Sequence, residues 1–251
     1  GLGGRADLDD GDPAGELREA LLELLAIEVG VGVLDLLLDL LDARLDVVAL
    51  AGAVDDRGVI LVDDDAARAA CAEAAQGEVV QAVNFNAPGQ VVIAGSPDGV
   101  MKAGEHAKEL GAKRVMPLAV SGAFHTPFMT SARDRLRDAI AAARPRDTEV
   151  PVVSNVDARA HATGEEWASL LSAQLSSPVR WKHVLLELSQ LGITGFIELG
   201  PGGVLTGMVK RTIEDSRHIS VATPDASRII RSEGKYSLIA MHCCRFSSQP
   251  L

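Results

Sequence analysis

Two leucine-rich stretches precede any strand-like pattern in this chain. Leu34, Leu37, Leu38, Leu41 and Leu45 recur at helical spacing beside an acidic stripe of Asp35, Asp39, Asp42 and Asp46, and Glu16, Glu19 and Glu23 form a similar stripe upstream. Both patterns predict amphipathic helix. From 58 the period changes. Residues 58–62 form a short apolar run suited to a strand. Asp63, Asp64 and Asp65 then offer an N-cap and first-turn acids for a helix over 66–75 that stops near Gly77. The alternation over 79–84 and 90–94 predicts two strands joined by the turn Ala87-Pro88-Gly89. Ser96 and Pro97 supply the N-cap and first position of a second helix, which ends at Gly111, and 115–120 reads as a fourth strand.

That order, strand-helix-strand-strand-helix-strand, predicts a ferredoxin-like unit over 58–120. Beyond it, Thr126 and Pro127 predict the start of a helix running to about 143. Further elements follow: a strand over 150–155, helices over 167–174 and 178–191, a buried strand over 193–199, and a helix over 204–213 after the turn Gly200-Pro201-Gly202-Gly203. Alternating strands and helices argue for a parallel α/β layer over 121–227. Residues 228–251, with Cys243-Cys244 and Ser247-Ser248, show no period and read as an unmatched tail.

Composition separates the first stretch from the rest. The 251 residues carry a net charge of −11, yet up to position 75 there are 18 acids against 5 arginines, and afterwards 17 acids against 19 lysines and arginines. The first Gln is Gln76, the first aromatic Phe85, the first Ser Ser96, the first Lys Lys102 and the first Thr Thr126. Two explanations stand for 1–57: an acidic low-complexity segment, or a GC-rich gene read in another frame. Three cysteines make no disulfide framework, and Cys71 lies in an alanine-rich helical stretch where packing is expected. No apolar run long enough for a membrane span escapes interruption by acids, and no basic leader precedes an apolar stretch. A reducing, cytoplasmic setting is expected, with no membrane or nucleic-acid partner.

Several runs together carry a resemblance. These are Asn84-Phe85-Asn86-Ala87-Pro88-Gly89-Gln90-Val91-Val92-Ile93-Ala94-Gly95, the segment Val120-Ser121-Gly122-Ala123-Phe124-His125-Thr126-Pro127-Phe128-Met129, Pro151-Val152-Val153-Ser154-Asn155-Val156, Gln174-Leu175 with Ser177-Pro178-Val179-Arg180-Trp181, and Glu198-Leu199-Gly200-Pro201-Gly202 with Val204-Leu205-Thr206-Gly207. In this order, over about 63–215, they resemble bacterial malonyl-CoA:acyl-carrier-protein transacylases. The resemblance implies an α/β fold: an incomplete parallel-sheet acyltransferase core, α/β-hydrolase-like, with the ferredoxin-like subdomain inserted. It implies transfer of malonyl from malonyl-CoA through a serine ester to the phosphopantetheine thiol of acyl carrier protein, with no cofactor and no metal. His125 is implied as the base and Gln174 as the residue whose carbonyl orients its ring. Asn86 and Asn155 match positions near the substrate. Gly122-Ala123-Phe124-His125 is similar to the malonyl-preferring motif of polyketide acyltransferases, so a polyketide-type role stays open.

The chain departs from that family at the nucleophile. The Gly-His-Ser-Leu-Gly elbow would fall near Glu16, and no serine precedes Ser96. The Gly-Gln-Gly loop is absent, and none of Arg5, Arg18, Arg44 or Arg57 has the context of the malonate-holding arginine. An inactive chain is therefore expected, and a non-catalytic module that binds acyl carrier protein is the alternative. Other residues have ordinary readings beside functional ones. Cys71 as a substitute nucleophile has no adjacent histidine, and Ser121 is not at the nucleophile's place. His106, His161, His183 and His218 show no metal-ligand spacing and suit surface or helix positions. Residues 200–203 suit either a tight turn or an anion cradle. Arg180, Lys182, Lys210 and Arg211 form either a basic rim for acidic carrier protein and coenzyme A phosphates or solvated faces.

Overall fold

A computed structural model describes residues 56–118, 124–199 and 203–221, and the main chain of 240–242. The two acidic helices expected before 56 lie outside the described residues, as does Ser121. The first unit runs β1 (Asp56–Ile60), α1 (Asp64–Ala74), β2 (Val80–Ala87), β3 (Gln90–Gly95), α2 (Pro97–Glu109) and β4 (Val115–Pro117). Its sheet has the order β2-β3-β1-β4, with every pairing antiparallel. Both helices start as their caps dictate: Asp63 Oδ1 accepts from the Ala66 N–H at 2.8 Å, and Ser96 Oγ accepts from Gly99 at 3.2 Å.

Alternation along the strands gives the sheet two apolar faces. Ile60, Val80, Ala82, Phe85, Val91 and Ile93 pack under α1 and α2 with Ala67, Ala70, Cys71, Val100 and Ala103. Val59, Val83, Val92 and Ala94 form the opposite face. Each fully buried Ile, Val or Phe contributes about 1.5–3 kcal/mol, so this core is the main stabiliser of the unit. β2 is an edge strand with register shifts between Ala82 and Asn84 and between Phe85 and Ala87. Its free edge is partly covered: the Phe85 N–H donates to Val179 O at 2.9 Å, and the Val179 N–H to Val83 O at 2.7 Å.

The second region comprises a 3₁₀ turn (Pro127–Met129), α3 (Thr130–Ala143), β5 (Val152–Val153), β6 (Ala160–His161), α4 (Gly164–Gln174), α5 (Trp181–Gln190), β7 (Gly195–Leu199), α6 (Val204–Thr212), β8 (Arg217–Val221) and β9 (Ala240–His242). β7 is paired in parallel on both sides, with β8 and with β9. So three residues of the terminal stretch read as a tail join the sheet.

Several boundaries differ from the sequence expectation, each for a local reason. Thr126 caps the 3₁₀ turn, accepting from the Phe128 N–H at 3.3 Å, and regular helix begins only at Thr130. The strand expected over 150–155 shrinks to two residues because Ser154 turns the chain: its Oγ accepts from Val156 and its carbonyl from Ala158. α4 begins three residues early, at Gly164, where the Glu166 carboxylate accepts from the Thr163 hydroxyl at 2.6 Å and main-chain N–H at 3.4 Å. Gly164 is required there, since a Cβ would lie 2.1 Å from Pro145 O. The helix expected from 178 begins at Trp181 because Val179 is extended against β2.

Candidate active site

The segment entering the second region turns at His125, whose φ of +70° is rare for a residue with a Cβ. Its main chain and ring are both held. Its N–H donates to Leu175 O at 3.0 Å, and its carbonyl accepts from Gln81 Nε2 at 2.6 Å. Its ring Nδ1 lies 2.8 Å from Gln174 O. On either side, Phe124 is buried with Met129, Leu136, Ile140 and Leu175, and Thr126 is fully buried. The ring is thus seated where the last turn of α4 meets β2, and His125 is 9% exposed.

The partner of Nδ1 determines the tautomer. A main-chain carbonyl can only accept, so Nδ1 carries the proton and the neutral ring keeps Nε2 as its acceptor. The Gln174 side-chain Nε2, 3.4 Å from Nδ1, is the weaker contact; it donates to Ser177 O at 3.2 Å. A neutral imidazole held in one tautomer with Nε2 basic can take a proton from a hydroxyl or thiol and return it.

Of the residues singled out by sequence, His125 and Gln174 are brought together. Asn155 stands on the far side of the 178–180 segment, where its carbonyl accepts from the Arg180 N–H at 3.1 Å. Its buried Oδ1 has no hydrogen-bond partner. Asn86 is half-buried on β2. Asn84, two residues earlier, also has a buried, unpartnered Oδ1, and sequence reasoning did not single it out. Gln81 was missed as well; the only signal was a polar residue in an otherwise apolar strand start.

Several alternatives resolve against the functional reading. Residues 200–202, read as a turn or an anion cradle, lie outside the described residues, but the start of α6 holds the chain's own anion: Glu198, 1% exposed, accepts from the N–H groups of Leu205 at 3.2 Å and Thr206 at 2.7 Å. Lys182 is not part of a solvated rim, because it pairs with Asp64 at 2.7 Å, both side chains largely buried. His183 Nε2 lies 3.7 Å from the same carboxylate and its ring meets Phe85 edge-on. Burial, reinforced by Lys182, holds His183 below its ordinary pKa. The Arg68 guanidinium lies over the Phe85 ring, 4.3 Å from its centre. His161 is not a stray surface group, since its two ring nitrogens lie 3.0 Å from Asp157 and 3.1 Å from Glu166. Burial pushes its pKa down, but the hydrogen bonds and charges of Glu166 and Asp157 outweigh it and leave the ring above its usual range. Burial pushes the Cys71 thiol up to about 12, so it is no nucleophile near neutral pH. Among the described residues no group of three potential ligands could hold a metal ion.

The chain matches the model of a family described as the acyl transferase domain over residues 46–237. It is 43% identical over 163 residues to a malonyl CoA-acyl carrier protein transacylase from Haemophilus influenzae, a match covering 65% of this chain and 52% of that protein. Among solved structures it is similar to an acyl carrier protein S-malonyltransferase from Vibrio cholerae, with a TM-score of 0.72 and 40% identity, covering 75% of this chain and 62% of that one. It is also similar, at a TM-score of 0.71 and 35% identity, to a malonyl-transacylase solved in complex with its type II PKS acyl-carrier protein, again covering 75% and 62%. The chain spans about half the length of the curated relatives it matches.

Proposed function

This chain belongs to the acyl transferase domain family, and from that premise we propose that it carries the base-bearing part of a malonyl-CoA:acyl-carrier-protein transacylase. The observation that carries the reading is the 2.8 Å contact between His125 Nδ1 and Gln174 O. In the proposed reaction Nε2 of His125 takes the proton of a serine hydroxyl as that oxygen attacks the thioester carbonyl of malonyl-CoA. The coenzyme A sulfur leaves and receives the proton, giving a malonyl-serine ester. The phosphopantetheine thiol of acyl carrier protein then gives its proton to Nε2 and its sulfur attacks the ester, and the serine oxygen leaves with that proton. Throughout, the Gln174 carbonyl holds Nδ1–H and stabilises the transient imidazolium.

The buried, unpartnered amide oxygens of Asn155 and Asn84 suit donors such as the amide N–H groups of a pantetheine arm, with Asn86 on the same strand. No cofactor is needed beyond the thioester donor and the thiol of the carrier protein. Among the described residues no helix is long and apolar enough to cross a membrane, and a cytoplasmic role in fatty-acid biosynthesis fits. The 56–118 unit is read as a ferredoxin-like subdomain, supported by its order β2-β3-β1-β4. The region carrying β7 is read as the carboxyl part of a parallel-sheet, α/β-hydrolase-like domain, supported by the parallel pairs on both sides of that strand.

Residues 1–251 contain no Gly-His-Ser-Leu-Gly stretch, so the chain by itself is proposed to be inactive. That observation also favours a second reading, a fragment that binds acyl carrier protein without transfer. A polyketide-type role is supported by the similarity to the transacylase solved with a type II PKS carrier. Labelled malonyl-CoA tests the readings. The chain alone should hold no ester-bound label. A chimera whose residues 1–55 are replaced by the portion of the Haemophilus influenzae relative preceding its matched stretch should take the label and pass it to acyl carrier protein. Ester-bound label on the chain alone, or a folded chimera that stays unlabelled, would overturn the main reading.

A further inference from the structure

We infer that Gln81 is a positioning residue for His125, through which the β2 sheet holds the base in its working orientation. The inference rests on the reading of His125 as that base. Gln81 lies one residue into β2, paired across the sheet with Ala94, and its neighbours Val80 and Ala82 belong to the core under α1 and α2. Strand alternation therefore turns Gln81 to the opposite face, towards the segment that follows β4. There its Nε2 donates to His125 O at 2.6 Å, 44 residues away in sequence.

This bond bears on the ring because of the backbone at 125. With φ at +70° the residue stays in the left-handed region only while its surroundings hold it there. Its N–H is tied to Leu175 O and its Nδ1 to Gln174 O, both on the last turn of α4 and its end. Gln81 comes from the other unit and holds the carbonyl, while the two α4 contacts hold the N–H and the ring. Without it, rotation about φ and ψ at 125 carries the ring away from the Gln174 carbonyl and loosens the Nδ1–H tautomer. A net hydrogen bond of this kind corresponds to roughly fivefold in the tautomer ratio.

The test is long-range proton–nitrogen correlation spectroscopy of the full, isotopically labelled chain at mildly alkaline pH, where ordinary imidazoles are neutral. The unmodified ring should show the Nδ1–H form. Gln81→Leu should lower the Nδ1–H to Nε2–H ratio roughly fivefold. Gln81→Glu, similar in size but unable to donate, should do the same. Gln81→Lys, which can donate to the same carbonyl, should hold the ratio. The His161 ring, bound to Asp157 and Glu166, should stay unchanged in all three and so excludes a global disturbance. An unchanged ratio in Gln81→Leu and Gln81→Glu overturns the role of Gln81 and leaves the base reading intact. Absence of the Nδ1–H form in the unmodified chain overturns the base reading itself. Should Gln81→Leu not fold, Gln81→Glu against Gln81→Lys decides, and equal ratios in that pair overturn the inference.

Discussion

In the unit of 56–118, one antiparallel sheet and two capped helices enclose a continuous core around Phe85, Ile60 and Ile93, and nearly all the contacts that define it are internal. The region of 124–221 is assembled differently. Its buried residues divide into a helical cluster around Met129 and Ile140 and a second cluster around Leu185 and Phe196. It is tied to the first unit by the Val179 pairing with β2, the Lys182–Asp64 ion pair and the Gln81–His125 bond. The candidate base sits on that seam. The unit of 56–118, with its own core, therefore flanks the candidate base, and each prediction below strikes one side or the junction.

The largest effect is expected inside the second region. Glu198→Leu leaves the N-terminal N–H groups of α6 without their buried acceptor, and should destabilise it by about 3 kcal/mol, read by urea unfolding. Amide exchange should show the loss of protection confined to β7 and α6, with β1 and β3 unaffected; equal losses in both would erase the contrast. Gly164→Ala drives a Cβ into Pro145 O and should destabilise α4 by about 2 kcal/mol in the same assay. A neutral result would mean the α3–α4 connection yields freely.

At the seam, Lys182→Met leaves Asp64 largely buried without its cation. The expected loss is about 2 kcal/mol, towards the low side for buried pairs because both groups keep some contact with water. Adding Asp64→Leu should recover most of it. Failure to recover would assign the loss to packing of the lysine stem, and the seam would then be apolar in character.

The smallest effect is pH dependence at His161. Its folded pKa is raised, so the stability it gives is fully present below its unfolded pKa near 6.5 and fades as pH rises through the higher folded value. The Glu166 carboxyl is lowered, first by its bonds to Thr163 and then by His161, so its contribution is present above the unfolded carboxylate value and fades in acid. Melting temperature of the native chain should thus fall slightly from pH 6 to 8 relative to His161→Gln, and a parallel pair of curves would remove His161 from the account.

What the sequence discloses follows the same division. Asp63 and Ser96 act within a few residues of their partners, so helix starts in the first unit are legible from local chemistry. The bond from Gln81 spans 44 positions and the Lys182–Asp64 bond 118, and no local pattern encodes either. Trp181 begins its helix three positions past Pro178 because Val179 is engaged by a strand almost a hundred residues earlier. The pairing of His125 with Gln174, 49 positions apart, is legible through resemblance and not through periodicity. The acceptor at the start of α6 is not legible either, because Glu198 reads in sequence as one polar position in a buried strand.

The imidazole held on this seam is proposed as the base of the transfer. The measurement that reaches it most directly is the rate of malonyl transfer by the elbow-bearing chimera with and without His125→Ala, both shown folded by amide exchange. The variant should lose about a thousandfold or more, as for removal of the base from a nucleophile–base unit. A variant that keeps its rate to within roughly tenfold, less than general base catalysis supplies, would contradict it.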